Sequence, residues 1–202
     1  MKPILFRVML VLAASAVVPE CWAADTAGGN AFLDAKLGYV YGRQDSGYSN
    51  VTHTSWGADG GYLWKSGDAV SAGFEAGYMQ FGHLADYFGN SGGTHLSASA
   101  ITLGGHIQGL LGEERATILQ ARVGLLQARI TDDFTSNFGS PSTGSDSWNE
   151  SGIYFGVGIG RKLTQGLSVL LAFNLFTLNG STQQRSFNTT LHWIGLEGQY
   201  EF

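Results

Sequence analysis

Five histidines, one cysteine and 16 carboxylates are the side chains here that could support acid–base, nucleophilic or metal chemistry. A serine nucleophile needs a histidine base within hydrogen-bond reach and an acid to orient that base. His192 has only Thr190 beside it on its own parity and Ser186 in the preceding segment, with no His-x-Ser pattern. His83 and His95 are too far apart in sequence for a standard zinc spacing, and no run of acids suggests a calcium loop. Gly156-Val157-Gly158-Ile159-Gly160 lacks both the spacing of a phosphate-binding loop and a following helix. Cys21, the one cysteine, lies near the N-terminus, so no disulfide framework is expected. These residues predict no catalysis, no cofactor and no metal.

A second set of polar residues has a different arrangement. Asp34, Lys36, Asp59, Glu75, His106, Arg122 and Glu197 each sit inside an alternating segment, on the parity opposite to the apolar residues. If those parities converge on one interior, the carboxylates and cations must pair, because a lone buried charge is very costly. Gly156, Gly158 and Gly160 thin one such parity and leave room for longer neighbours.

The elements that would carry these residues are strands. Alternation marks eight segments: 31–42, 55–64, 69–81, 101–111, 116–129, 152–163, 167–178 and 191–202. Leu33, Leu37, Tyr39, Phe74, Val123, Leu125, Phe155, Val157, Leu171, Phe173, Ile194 and Leu196 fall on the apolar parity. Lys65–Asp68, Gly112–Glu114 and Thr164–Gly166 read as tight turns between strands two and three, four and five, and six and seven. The alternate connections are long and polar: Arg43–Thr54, Gly82–Ser99, Thr131–Asn149 and Asn179–Thr189. Short turns at one end and long loops at the other suit an antiparallel barrel inserted in one direction.

Lys2 and Arg7 flank an apolar run that Pro19 breaks, with small residues at Cys21 and Ala23. This is the layout of a secretory signal peptide over residues 1–23, leaving 24–202 as one domain. Loss of Lys2, Arg7 and Glu20 takes the net charge from −5 to −6, and no basic patch remains, so nucleic acid is excluded as an expected partner.

A soluble eight-stranded barrel would turn its apolar parity inward around a ligand. Three features favour the inverse. The charged parity is a poor soluble exterior. Tyr39, Tyr41, Trp56, Trp64, Tyr78 and Tyr200 cluster near strand ends, like an interfacial aromatic belt. The last segment alternates through Tyr200 to Phe202, with Glu197, Gln199 and Glu201 on the other face. The expected fold is all-β: an eight-stranded antiparallel transmembrane up-and-down barrel in the bacterial outer membrane, with a polar interior.

Several segments resemble the transmembrane domain of outer membrane protein A and its small relatives. Ala35-Lys36-Leu37-Gly38 is similar to that family's opening strand, and Gly60-Gly61-Tyr62, Gly73-Phe74-Glu75 and Gly77-Tyr78 to its second hairpin. Ala121-Arg122-Val123-Gly124 followed by Thr131-Asp132-Asp133 is a weaker likeness. With the sequence read as ending at its eighth strand, the separate peptidoglycan-binding domain of the larger members is not expected, and the resemblance is to the short ones. It implies adhesion, resistance to host factors or envelope integrity. It also places Glu75 where the family has a gating glutamate and His106 near a lysine of the fourth strand, without a basic partner on strand seven. A static plug and a narrow gated channel both remain open, with a lipid A-modifying enzyme as a third reading.

The resemblance implies surrounding lipid and lipopolysaccharide, a monomer, and the outer-membrane assembly machinery with its periplasmic chaperones as partners. Tyr200 and Phe202 would form the C-terminal assembly signal. Tyr48, Tyr87, Phe88, Phe134, Phe138 and Trp148, set among Gly, Ser, Asn and Asp, are the expected loop contacts for a host surface ligand.

Overall fold

The computed structural model describes residues 28–43, 52–66, 69–89, 92–136, 142–182 and 185–202. Eight antiparallel strands close into a barrel in sequence order: β1 (Gly29–Arg43), β2 (Thr52–Lys65), β3 (Val70–Gly89), β4 (Gly92–Leu111), β5 (Thr117–Ser136), β6 (Ser142–Lys162), β7 (Leu167–Thr182) and β8 (Arg185–Glu201). The seam joins β1 to β8, with Lys36 opposite Glu197 and the Phe202 amide donating to the Ala31 carbonyl at 3.0 Å. Closure leaves no sheet edge within the barrel wall, so every ladder group there has a partner.

Alternation decides which way each side chain points. The wall facing outward is apolar: Leu37, Phe74, Leu103, Val123, Leu125, Ile153, Phe155, Leu171 and Leu196 are all exposed, Leu125 at 66% and Val123 at 60%. At the short-turn end Trp64 tilts against Phe74 and Tyr200 meets Phe202 edge-on, with centroids 5.7 and 5.0 Å apart. At the other end Trp56 packs on Tyr78 and Tyr41 stacks on His192, at 5.8 and 4.9 Å. Two aromatic girdles thus bound an apolar band, as a wall facing hydrocarbon requires.

The interior departs from the expected polar filling. It is layered. Near the short turns Phe32, Leu63, Ile118 and Leu170 are buried. The ionic residues occupy the middle. Above them lies an apolar cluster that includes Phe81, Leu126, Tyr154, Phe176, Leu178 and Trp193. Phe81 meets Phe176 edge-on at 4.9 Å. Parity gave the direction of these side chains, but many inward positions towards the strand ends are apolar, with buried Gln108, Ser168 and Gln199 among them at one end and Ser55 and Glu150 at the other, because only the middle layer supplies enough partners to repay the desolvation of charge.

The long loops are also corrected. Most of Gly82–Ser99 and Thr131–Asn149 is strand, since β3 pairs with β4 as far as Gly89–Gly92 and β5 with β6 as far as Ser136–Ser142. These extensions are rich in Gly, Ser, Thr and Asp, with only scattered apolar residues such as Leu84, Leu96 and Trp148, so hydrophobic periodicity was too weak to reveal them. The β2–β3 ladder ends at Trp56–Gln80 and the β6–β7 ladder at Ser151–Asn179. Beyond those points β3–β4–β5–β6 continue as a four-stranded sheet above the barrel, and β7–β8 runs on as a hairpin to Thr182–Arg185.

Candidate functional site: the interior ion network and the long-hairpin sheet

Register brings the charged residues together. Asp34 lies directly opposite Asp59, and His106 directly opposite Arg122. The two carboxylates facing each other across the β1–β2 ladder repel, so they require a counter-ion from elsewhere in the interior. Arg122 provides it for the acids. Its Nη2 lies 2.8 Å from Glu197 Oε2 and 3.3 Å from Asp34 Oδ2, and its Nη1 lies 3.2 Å from Asp59 Oδ2. Its Nε lies 3.8 Å from Glu75 Oε2, and that oxygen is 3.2 Å from His106 Nδ1. Lys36 pairs with Asp59 and sits 3.9 Å from Glu197 Oε1. All seven residues are buried.

Room for these long side chains comes from glycines beside them. Lys36 faces Gly57, Glu75 is flanked by Gly61 and Gly104, and Arg122 faces Gly156. A Cβ at Gly156 would run into Asn174 Oδ1 and the stem of Arg122. Side chains not singled out in the sequence complete the network. Tyr154 donates to Glu75 Oε1 at 2.7 Å, Gln120 to Glu197 Oε2 at 2.6 Å, and Asn174 to Glu197 Oε1 at 3.5 Å. Gln108 donates to Glu201 Oε1 at 2.9 Å. Their inward parity was legible; the pairing depends on strand stagger, which parity does not contain. Chemically the arrangement is a packed ionic plug, and the apolar cluster lies directly over it.

The aromatic residues expected in the loops separate. Phe134 is exposed on β5, opposite Gly144 of β6. Trp148 lies on β6 rather than in a loop, partly buried against the interior apolar cluster, and its Nε1 donates to Glu150 Oε1 at 2.7 Å. It sits on the inward parity of β6, two residues before buried Glu150, so packing claims it. Tyr87 and Phe88 have their backbone on β3, but their side chains lie outside the described residues, as do Tyr48 and Phe138 altogether. Tyr200 and Phe202 are both exposed on the outer wall. His192 packs on that wall, stacked on Tyr41 and 6.0 Å from Phe173. Asp132, missed in the sequence as an interacting group, lies opposite Asp146 in the sheet above the barrel. Burial, then neighbouring Asp133 and Asp146, raises its carboxyl above the ordinary range.

No family model and no curated relative matches the sequence. Solved structures match along most of the chain. Neisserial surface protein A is 12% identical with a TM-score of 0.59, over 87% of this chain and 99% of that one. The attachment invasion locus protein Ail of Yersinia pestis is 11% identical with a TM-score of 0.53, over 86% and 99%. A major outer membrane protein from Thermus thermophilus is 13% identical with a TM-score of 0.52, over 87% and 100%. At such identities the likeness carries the fold alone. Together with the apolar outer wall, the aromatic girdles and the closed ring of strands, it makes this chain an eight-stranded β-barrel of the outer-membrane type.

Proposed function

We propose that the chain is exported, loses residues 1–23, and works in the bacterial outer membrane as a closed scaffold presenting a binding surface to the cell exterior. The observation that carries this reading is the four-stranded sheet above the barrel. Its outer strands, β3 over 81–89 and β6 over 142–150, have no ladder partner on their outer side among the described residues. Exposed strand edges accept an extended segment of another chain by strand addition. The β5–β6 hairpin also presents Phe134 among Ser, Thr, Gly and Asp, a composition suited to adaptable contacts. Two of the similar barrels are named for the cell surface or for attachment, which accords with this reading.

The expected partner is a host surface ligand, with lipid and lipopolysaccharide around the wall and Tyr200 and Phe202 serving assembly. A catalytic role has little support, since His192 is engaged in an outer-wall aromatic stack. The test is to shorten the β5–β6 hairpin by joining Thr131 to Ser147 through a tight turn, and to measure binding of bacteria displaying each form to host cells. Binding should fall while the barrel still folds. Equal binding by both forms would defeat the adhesive reading.

A further inference from the structure

The outer wall is not evenly filled. Across β4, β5 and β6 it carries a hollow of about 400 Å³, lined on the outward parity by Ile107, Gly109, Leu119, Ala121 and Val157. Register explains it. Ala121 stands directly opposite Ile107 on one side and Val157 on the other, and Gly109 stands opposite Leu119. Directly opposed and diagonal residues on one face of a sheet are neighbours, so two small residues set diagonally among exposed large ones leave a trough. A Cβ added at Gly109 would approach only the Leu119 carbonyl oxygen, at 4.0 Å, so no side chain of this chain fills the gap there.

The foot of the trough is basic. Beyond Val157 and Ile159 the next outward residue of β6 is Arg161, opposite Thr117 of β5. It is exposed and has no carboxylate partner among the described residues. At a rise of about 3.4 Å per residue it lies roughly 14 Å along the strand from Val157. From there its stem can lie on the wall while the charge reaches the headgroup layer. Lys162 follows at the end of β6, and Arg115 is exposed in the turn before β5. Glu113 and Glu114 of that turn are the carboxylates facing these cations, so cations outnumber carboxylates on this rim by three to two.

An apolar trough running to an arginine matches a molecule with a hydrocarbon tail and an acidic head. A second copy of this chain matches less well. Two barrels inserted in the same direction would bring their Arg161 side chains to the same height across a two-fold interface, where like charges repel.

We propose that the trough binds an anionic phospholipid of the leaflet at the short-turn end, with an acyl chain against Gly109 and Ala121 and its phosphodiester on Arg161. The guanidinium fork takes two phosphate oxygens at once. The surplus of cations on the rim favours a headgroup without an ammonium, such as phosphatidylglycerol. Inside hydrocarbon the tail gains by close packing rather than by leaving water, so the shape of the trough decides how firmly it is held. The site rests on placement in a membrane and not on the adhesive role.

The experiment is native mass spectrometry of the purified protein, folded in detergent with equal amounts of phosphatidylglycerol and phosphatidylethanolamine. One phosphatidylglycerol should be retained in preference. Arg161→Gln should weaken its retention about fivefold, the worth of one cation at an anionic lipid surface. Gly109→Leu, which fills the trough, should release both lipids alike. Gly198→Leu, at an open outward glycine on β8, should bind as the parent does. Circular dichroism checks that each variant folds, and Ala121→Leu replaces Gly109→Leu if the latter does not. No preference for phosphatidylglycerol in the parent, or parental retention in a folded Arg161 or Gly109 variant, would overturn the proposal. Failure of the parent to insert into phospholipid vesicles would overturn the membrane placement along with it.

Discussion

Arg122 is a single cation reached by carboxylates from four strands: Asp34 of β1, Asp59 of β2, Glu75 of β3 and Glu197 of β8. Its worth is best judged by what its removal leaves behind. A buried ion pair is no sure gain over a well-packed apolar core, but stripping one partner leaves uncompensated charge, at about 3–5 kcal/mol. Arg122→Leu is therefore expected to destabilise the barrel by about 3–5 kcal/mol in denaturant unfolding in lipid vesicles. Arg122→Lys, which keeps the charge but loses the fork, should cost less.

Asp132, in the sheet beyond the membrane band, works in the opposite direction. Its folded carboxyl holds the proton more tightly than the ordinary value of 3.8, through burial and then Asp133 and Asp146. Ionisation thus subtracts stability once the pH exceeds that ordinary value, and subtracts nothing below it. Asp132→Asn should raise the unfolding midpoint at about pH 7 and leave it unchanged at about pH 3, as thermal melts at the two values would show.

At the scale of the element, each strand has two unlike faces, and one parity step exchanges them. On β5, Val123 is 60% exposed while its neighbour Arg122 is 2% exposed. If the outer face meets hydrocarbon, an arginine at Val123 costs about 2–4 kcal/mol near the bilayer midplane. The same change at Asp133, in the sheet above, should cost little. Unfolding of both variants in lipid checks this, and equal small effects would contradict a lipid-facing wall. The strands also differ along their length. Alternation identified the parts inside the membrane band. The extensions of β3 to β6 were read as loops, because strands with few apolar residues show no clear hydrophobic period. The two register slips of β3 against β4, between Gln80 and Gly82 and between His83 and Ala85, were likewise hidden, since a register shift is a relation between two strands.

For the whole molecule, stacking three layers inside eight strands decides between plug and channel. An eight-stranded barrel is just wide enough for side chains to fill it. The ionic layer is capped by the apolar cluster around Phe81, Phe176 and Trp193 on one side, with Phe32 and Ile118 buried towards the other. Opening the ion pairs alone would still leave apolar constrictions that exclude hydrated ions. Planar bilayers containing the purified protein should show no steady conductance, and Glu75→Gln should not create one. Persistent single-channel steps in the parent protein would restore the gated-channel reading.

The order of residues alone determined the eight strands, their alternating faces, the long and short ends, and the shared parity of Asp34, Lys36, Asp59, Glu75, His106, Arg122 and Glu197; their burial inside the ring is a property of the folded barrel. Strand and parity are local properties: a period of two is written in each segment, and steric alternation enforces it whatever the neighbours are. Only the tertiary structure decided which inward residues meet. The stagger between strands sets Asp34 beside Asp59, brings Arg122 across to both and packs Trp148 against the interior apolar cluster. Those contacts follow from closure of the ring, a condition on all eight strands together that no single segment contains.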